Sequence, residues 1–188
     1  MSSASQYHVR RLASQDAESL LAAVKASPEL GLWMPWCTPD YSLVQAEAWI
    51  RFSQDAWASR SEFPLTIVES GSGRIVGGTG INQINRANRI GNIGYWVSTP
   101  HTGLGVAQFA ARQAALIGFR ELEMTRLEIV ALTHNLASIR VAESLGAQRE
   151  CTARNRLRMN GKPQDAVVFS LVPEDVEAWP EARFPAFS

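Results

Sequence analysis

The chain has 188 residues, with 18 Lys+Arg against 18 Asp+Glu and a formal net charge of zero. Charged residues make up 19% and hydrophobic residues 46%, which excludes a disordered tail, a collagen-like repeat and a strongly basic nucleic-acid binder. The length suits one domain spanning 1–188, with terminal extensions at 1–6 and 174–188, and can bury about 70% of its unfolded surface.

From the N-terminus, Met1–Gln6 has no cationic start followed by an apolar core, so it does not read as a signal peptide. Tyr7–Leu12 reads as a strand, and Asp16–Ala26 as a helix with Leu20, Leu21 and Val24 at helical spacing, stopped near Pro28. A Trp-rich loop, Leu32–Cys37, leads to Ser42-Leu43-Val44-Gln45, a capping-box pattern. The helix it opens carries Ala46, Trp49, Ile50 and Trp57 on one stripe, with Trp49 and Trp57 read as packing residues. Phe63–Val68 and Arg74–Ile84 read as a hairpin around Ser70–Gly73, and Asn85–Asn88 turns into a third strand, Ile90–Val97. Gly103-Leu104-Gly105 then opens a helix to about Phe119, with Val106, Ala110, Ala114 and Ile117 as its apolar stripe. Arg126–Ala131 is an apolar strand, and Asn135–Leu145 a helix with Asn135 as N-cap and Gly146 as stop. Ala147–Met159 and Gln164–Leu171 close the chain as a hairpin around Asn160-Gly161.

No apolar run approaches the roughly 20 residues of a spanning helix; the run Met124–Leu132 is interrupted by Arg126 and Glu128. A cytoplasmic protein with no membrane or nucleic-acid partner is expected. Cys37 and Cys151 lie far apart and fit no metal spacing, so they read as two buried thiols, with a single disulfide as the alternative. Only Lys25 and Lys162 are lysines among the 18 cations. That skew fits a genome rich in G and C, and hence a bacterial source.

The segment from Trp96 to Val106 is a strand, a glycine turn and a helix start, the local recipe for an anion site. Free N–H groups of a first helical turn point at the ligand, and glycines let the backbone approach it. The spacing is neither a Rossmann fingerprint nor a P-loop. Tyr95-Trp96-Val97 followed by Thr102-Gly103-Leu104-Gly105-Val106-Ala107 resembles the acyl-CoA pyrophosphate loop of the GCN5-related N-acetyltransferases. Asn135-Leu136-Ala137-Ser138, Arg140–Glu143 and Leu145-Gly146 resemble the second signature of the RimJ/RimL-like branch, which acetylates protein N-terminal amines. The Trp33–Trp36 loop and Arg154–Leu157 are similar to that branch as well.

The resemblance implies an α/β (α+β) domain with a mixed, mostly antiparallel sheet flanked by helices and a strand splay holding acyl-CoA. It implies acetyl-CoA as the donor, no metal, an amine acceptor and a monomer or homodimer. By position it implies that Gly103 to Ala107 cradle the pyrophosphate, and that Tyr95–Val97 offers backbone groups to the pantetheine arm and the thioester carbonyl. Asn135 would bond the pantetheine, and Ser138 would protonate the leaving thiolate; N-capping and helix-surface roles stand as alternatives for both. Trp33 and Trp36, with Tyr41, Trp49 and Asn92, would line the acceptor site; Trp33 and Trp36 read equally well as packing, and Trp49 reads better as packing. The chain departs from the family pattern at Thr102, where a basic residue or Gln is usual, and at Leu104. It has Ala142 where many relatives carry a tyrosine acid, and Asn92 where a general-base carboxylate is often found.

An amide takes no proton at neutral pH. A lysine-type amine is about 0.04% neutral at pH 7, whereas a peptide α-amine is about 10–17% neutral. A site without a strong base therefore favours α-amines. His101, His134 or a water chain to Glu128 are the alternative bases, although both histidines read better as surface residues. Arg154, Arg156 and Arg158 alternate on one strand and so share a face, read as a solvated face or as a rim for an acidic peptide. Two rival functions stand beside peptide N-terminal acetylation. One is acetylation of a small amine (a polyamine, amino acid or amine antibiotic), and the other is a catalytically weak acyl-CoA-binding module.

Overall fold

A computed structural model describes residues 6–180; the parts of the expected terminal extensions at 1–5 and 181–188 lie outside them. The elements are β1 (Tyr7–Arg10), α1 (Ala17–Lys25), α2 (Leu43–Ser59), β2 (Phe63–Glu69), β3 (Ile75–Asn85) and β4 (Ile90–Val97). Then come α3 (Val106–Arg120), β5 (Arg126–Leu132), α4 (Leu136–Ser144), β6 (Gln148–Met159), β7 (Lys162–Leu171) and the short α5 (Pro173–Val176). The seven strands form one sheet in the order β1-β2-β3-β4-β5-β7-β6. Only β4 and β5 run parallel, joined by the α3 crossover. This is the mixed, mostly antiparallel sheet with flanking helices that the sequence led us to expect.

Most boundaries agree with the sequence reading, and the exceptions have local causes. The first strand ends at Arg10, because that guanidinium turns to Asp16 at 2.6 and 2.8 Å. Asp16 also accepts the Ala13 N–H at 2.8 Å, closing a short turn before α1. At α2, Gln45 takes the Ser42 backbone N–H at 2.8 Å, as the capping box requires. Past β7, Val176 is buried and Trp179 packs on the core, with Arg112 over its ring at 4.7 Å. The chain after β7 therefore packs on the domain as far as Trp179.

The sheet separates two apolar layers. On one face α1 and α2 bury Leu20, Val24, Ala46 and Ile50 against Val68 and Ile75. On the other, α3 and α4 bury Ala111, Ala114, Ile139 and Ala142 against Ile81, Ile93, Leu127 and Phe169. Cys37 is buried as expected, but Cys151 is exposed on β6, which corrects the reading of two buried thiols.

The β5–β6 end is tied by charge. Arg126 grips Glu150 through two nitrogens at 2.6 and 2.7 Å, and Ser170 Oγ donates to Glu150 at 2.8 Å. The Arg126 bonds, helped by Ser170, hold the Glu150 carboxyl down to about 2. The folded value lies below an unfolded value of about 4.3, so this stabilisation is present above that value and lost as pH falls through it towards 2. In Glu150→Gln, the melting temperature is expected to vary less with pH across that window than in the native protein.

Candidate active site

The site forms where β4 parts from β5. Ile90, Gly91 and Asn92 pair with Arg126, Leu127 and Glu128, and the two strands share no pairing beyond them. The other edge of β4 stays paired with β3 as far as Val97. From Ile93 to Val97, one edge of β4 therefore faces an open wedge, the splay implied by the resemblance.

Three of the expected residues meet across that wedge. Tyr95 donates its phenol O–H to the Ser138 carbonyl at 3.0 Å and lies 3.0 Å from Ser138 Oγ. Burial pushes the Tyr95 phenol up to about 12, opposed by the Ser138 bond, so near neutral pH it keeps its proton. Asn135 is the N-cap of α4, and its Oδ1 accepts the Ser138 N–H at 3.1 Å.

The loop into α3 has the conformation its glycines allow. Gly103 and Gly105 lie at φ 75° and 77°, the left-handed region that favours glycine. The N–H groups of Gly103, Leu104 and Gly105 meet no acceptor among the described residues, and all three residues are exposed. Thr102 contributes no free hydroxyl, because its Oγ1 donates back to the Thr99 carbonyl at 2.8 Å. Leu104 is exposed, Ala107 half-buried and Val106 buried. What the loop presents is therefore backbone donors at the positive end of a fifteen-residue helix.

On the α1/α2 face, a cavity of about 700 Å³ opens against the same stretch of β4. Its floor is nearly bare sheet. Gly80 and Gly94 sit directly opposite each other in the β3–β4 register, so neither strand raises a side chain there. At Gly78 a Cβ would stand 2.5 Å from the Trp96 indole nitrogen, and the missing side chain lets that ring lie against β3. The walls are aromatic, from Trp36, Tyr41, Trp49 and Phe52. Trp36 meets Trp96 edge-on at 5.8 Å.

Several expectations change. Trp49, read as packing, is 42% exposed, stacks on Phe52 at 5.2 Å and lines the cavity. Trp57 does pack, edge-on to Phe63, with its N–H on the Pro64 carbonyl at 2.7 Å. Trp33 is not part of the cavity wall; its ring lies 5.4 Å from His134, beside Asn135. Asn92 does not line the cavity either. Its Nδ2 donates to Asn82 Oδ1 at 2.8 Å while its own Oδ1 is buried without a partner. Asn82 takes the place at the wall.

The alternative bases are held elsewhere. Glu128 pairs with Arg126 at 3.0 Å and Arg156 at 3.6 Å. His101 lies 3.0 Å from Ser98 Oγ and 3.8 Å from Glu69. The three alternating arginines do not form one rim, because β6 bulges between Ala153 and Leu157 with Asn155 at φ 54°. Arg156 turns to Glu128, and Arg158 to the hairpin carbonyl of Gly161 at 2.9 Å. Sequence reading missed Glu62, Asn82 and the Gly80–Gly94 patch. Glycines in both strands were visible, but only the register shows that they face each other.

The family model described as an acetyltransferase (GNAT) domain matches residues 7–148. The chain belongs to this family. It is an N-acetyltransferase. Over 178 residues it is 29% identical to a Bacillus subtilis protein, YdaF, named as a ribosomal N-acetyltransferase, covering 90% of this chain and 92% of the relative. A Vibrio cholerae structure described as a ribosomal-protein-serine acetyltransferase is 30% identical with a TM-score of 0.78, covering 89% and 94% of the two chains. The fold also matches a RimL ribosomal L7/L12 α-N-protein acetyltransferase in complex with coenzyme A, 18% identical with a TM-score of 0.77 over 89% and 94% of the two chains. No helix among the described residues of this acetyltransferase is long and apolar enough to cross a membrane.

Proposed function

We propose that this enzyme transfers acetyl from acetyl-CoA to the N-terminal α-amine of a protein or peptide, by direct attack on the thioester. The observation that carries the reading is that wedge and cavity reach the same backbone, Gly94–Tyr95, the wedge along the open edge of β4 and the cavity on the α1/α2 face. A thioester threaded through the wedge would present its carbonyl carbon to an amine seated in the cavity.

The donor-only loop at Gly103–Ala107 fits the CoA pyrophosphate, which needs N–H groups and tolerates the lack of side-chain cations. Backbone groups of Tyr95–Val97 on the open edge of β4 would hold the pantetheine arm, and an N–H there would stabilise the oxyanion. Ser138, steadied by Asn135 and Tyr95, would protonate the departing thiolate. An acyl-enzyme is not needed. Neither Cys37, whose thiol faces the Ser27 carbonyl at 3.7 Å, nor Cys151 lines the cavity.

The ribosomal-protein names of several relatives support a protein acceptor, and the ease with which an α-amine sheds its proton favours its N-terminus. Among the described residues, no Lys, Arg or His lines the cavity to repel an ammonium. The experiment is thiol release from acetyl-CoA with a panel of N-terminal peptides, polyamines and small amines. Peptides with a free N-terminus should turn over faster than lysine side chains or polyamines, by tenfold or more in kcat/KM at pH 7. Faster turnover of polyamines would favour the small-amine reading. CoA binding without turnover of any amine would favour a binding module.

A further inference from the structure

We propose that Glu62 is the carboxylate that takes the acceptor's proton, directly or through one water, from an ammonium seated over the bare Gly80–Gly94 patch. The proposal rests on the reading of this enzyme as an amine acetyltransferase and names a residue that the sequence alone did not single out.

The argument is one of register. Phe63 pairs with Ile81, so Glu62, one residue earlier, falls opposite Asn82; Asn82 in turn pairs with Asn92. Continued one residue past the start of β2, that register sets Glu62 in line with Asn82 of β3 and Asn92 of β4. The row's carboxylate stands two strands away from Asn92. The two amides between are locked together by the 2.8 Å bond from Asn92 to Asn82. The row lies two residues, about 7 Å, along the strands from Gly80–Gly94, within reach of a side chain and one bridging water.

Glu62 is the sole carboxylate among the described residues lining the cavity. It has no ion pair among the described residues, whereas Glu128, Glu150 and Glu69 are all engaged. Burial raises its carboxyl above the usual range, and the Gln83 backbone N–H offsets part of that. A raised carboxyl sits closer to an α-ammonium's own pKa, which eases the transfer. Other titratable groups in the cavity wall are Tyr41 and Tyr95. The charged groups on the adjoining elements are Arg11 over the Trp57 ring, Arg60 over Phe63, and Arg86 on the carbonyls of Ser59 and Arg60.

The ammonium gives its first proton to Glu62, which passes it to solvent through the cavity mouth. The freed lone pair forms the N–C bond, the C–S bond breaks, and the nitrogen then loses a second proton. The thiolate takes one up, so each turnover releases one proton.

The test compares Glu62→Gln with the native enzyme across pH, using acetyl-CoA and the fastest acceptor of the panel. At pH 7 kcat/KM should fall by about tenfold or more, with the Kd for acetyl-CoA unchanged. The deficit should close above pH of about 9, where the α-amine is already neutral. Because burial disfavours the carboxylate, the amide variant should melt no earlier than the native protein, and Glu62→Asp should retain part of the rate. An unchanged rate at pH 7, or an equal deficit at every pH, would overturn the assignment. Native turnover restricted to non-peptide amines would sink the peptide reading alone, and the same comparison on those amines decides Glu62.

Discussion

Replacing Ser138 with alanine is expected to lower kcat by about 100-fold and leave the affinity for acetyl-CoA within about twofold of native. The two effects separate if, as proposed, the hydroxyl acts on the leaving thiolate while the loop amides at Gly103–Ala107 hold the cofactor. The fold should tolerate the change. Asn135 caps α4 through the backbone N–H of residue 138, and Tyr95 still donates to its backbone carbonyl, so no buried donor is orphaned. Tyr95→Phe makes the informative partner. If the phenol relays a proton to Ser138 Oγ, the double variant should be no slower than Ser138→Ala alone, since both side chains then serve one step. If each protonates the thiolate independently, the losses should multiply. Native kcat in Ser138→Ala would remove Ser138 from the acid role and leave it as a helix-surface serine.

That pair also shows where the sequence was legible. Asn135 and Ser138 share one helical turn, and Tyr95 belongs to the strand that ends at the glycine loop. Each signal is local, so each could be read from the chain alone. Their meeting could not, because Tyr95 and Ser138 lie 43 residues apart and touch only where β4 separates from β5. The same distinction runs through the site. The turn into α3 needs only Gly103, Gly105 and a helix start, and it was visible. Glu62 sits just before β2, and nothing local reveals that the β2–β3–β4 register places it in a row with Asn92.

Two misreadings came from applying a periodicity beyond its cause. Trp49 falls on an apolar stripe of α2, but the stripe overhangs a floor without side chains, so the indole lines a cavity. Arg154, Arg156 and Arg158 alternate in sequence, but the bulge at Asn155, whose N–H donates to Asp165 at 2.9 Å, breaks the alternation in space.

The bare floor gives the sharpest test of where the acceptor binds. Gly94 has an ordinary extended backbone, and a Cβ added there would meet only the Asn82 side-chain nitrogen, at 3.5 Å. A valine is therefore compatible with β4, where β-branched residues are favoured, yet its two methyl groups would rise into the space over Gly80. Gly94→Val is expected to fold and to bind acetyl-CoA through the α3 loop. Its acceptor kcat/KM should fall by about 100-fold or more, mostly through KM, with Gly94→Ala in between, as expected when a pocket is filled by one or a few carbons. The neighbouring glycines supply the contrast. A methyl at Gly78 strikes the Trp96 ring, and one at Gly77 strikes the Trp96 carbonyl, so those variants should lose stability along with activity. An unchanged acceptor KM in Gly94→Val would mean that the amine does not approach over the Gly80–Gly94 patch. Glu62, whose assigned role depends on an ammonium seated there, would lose that role with it.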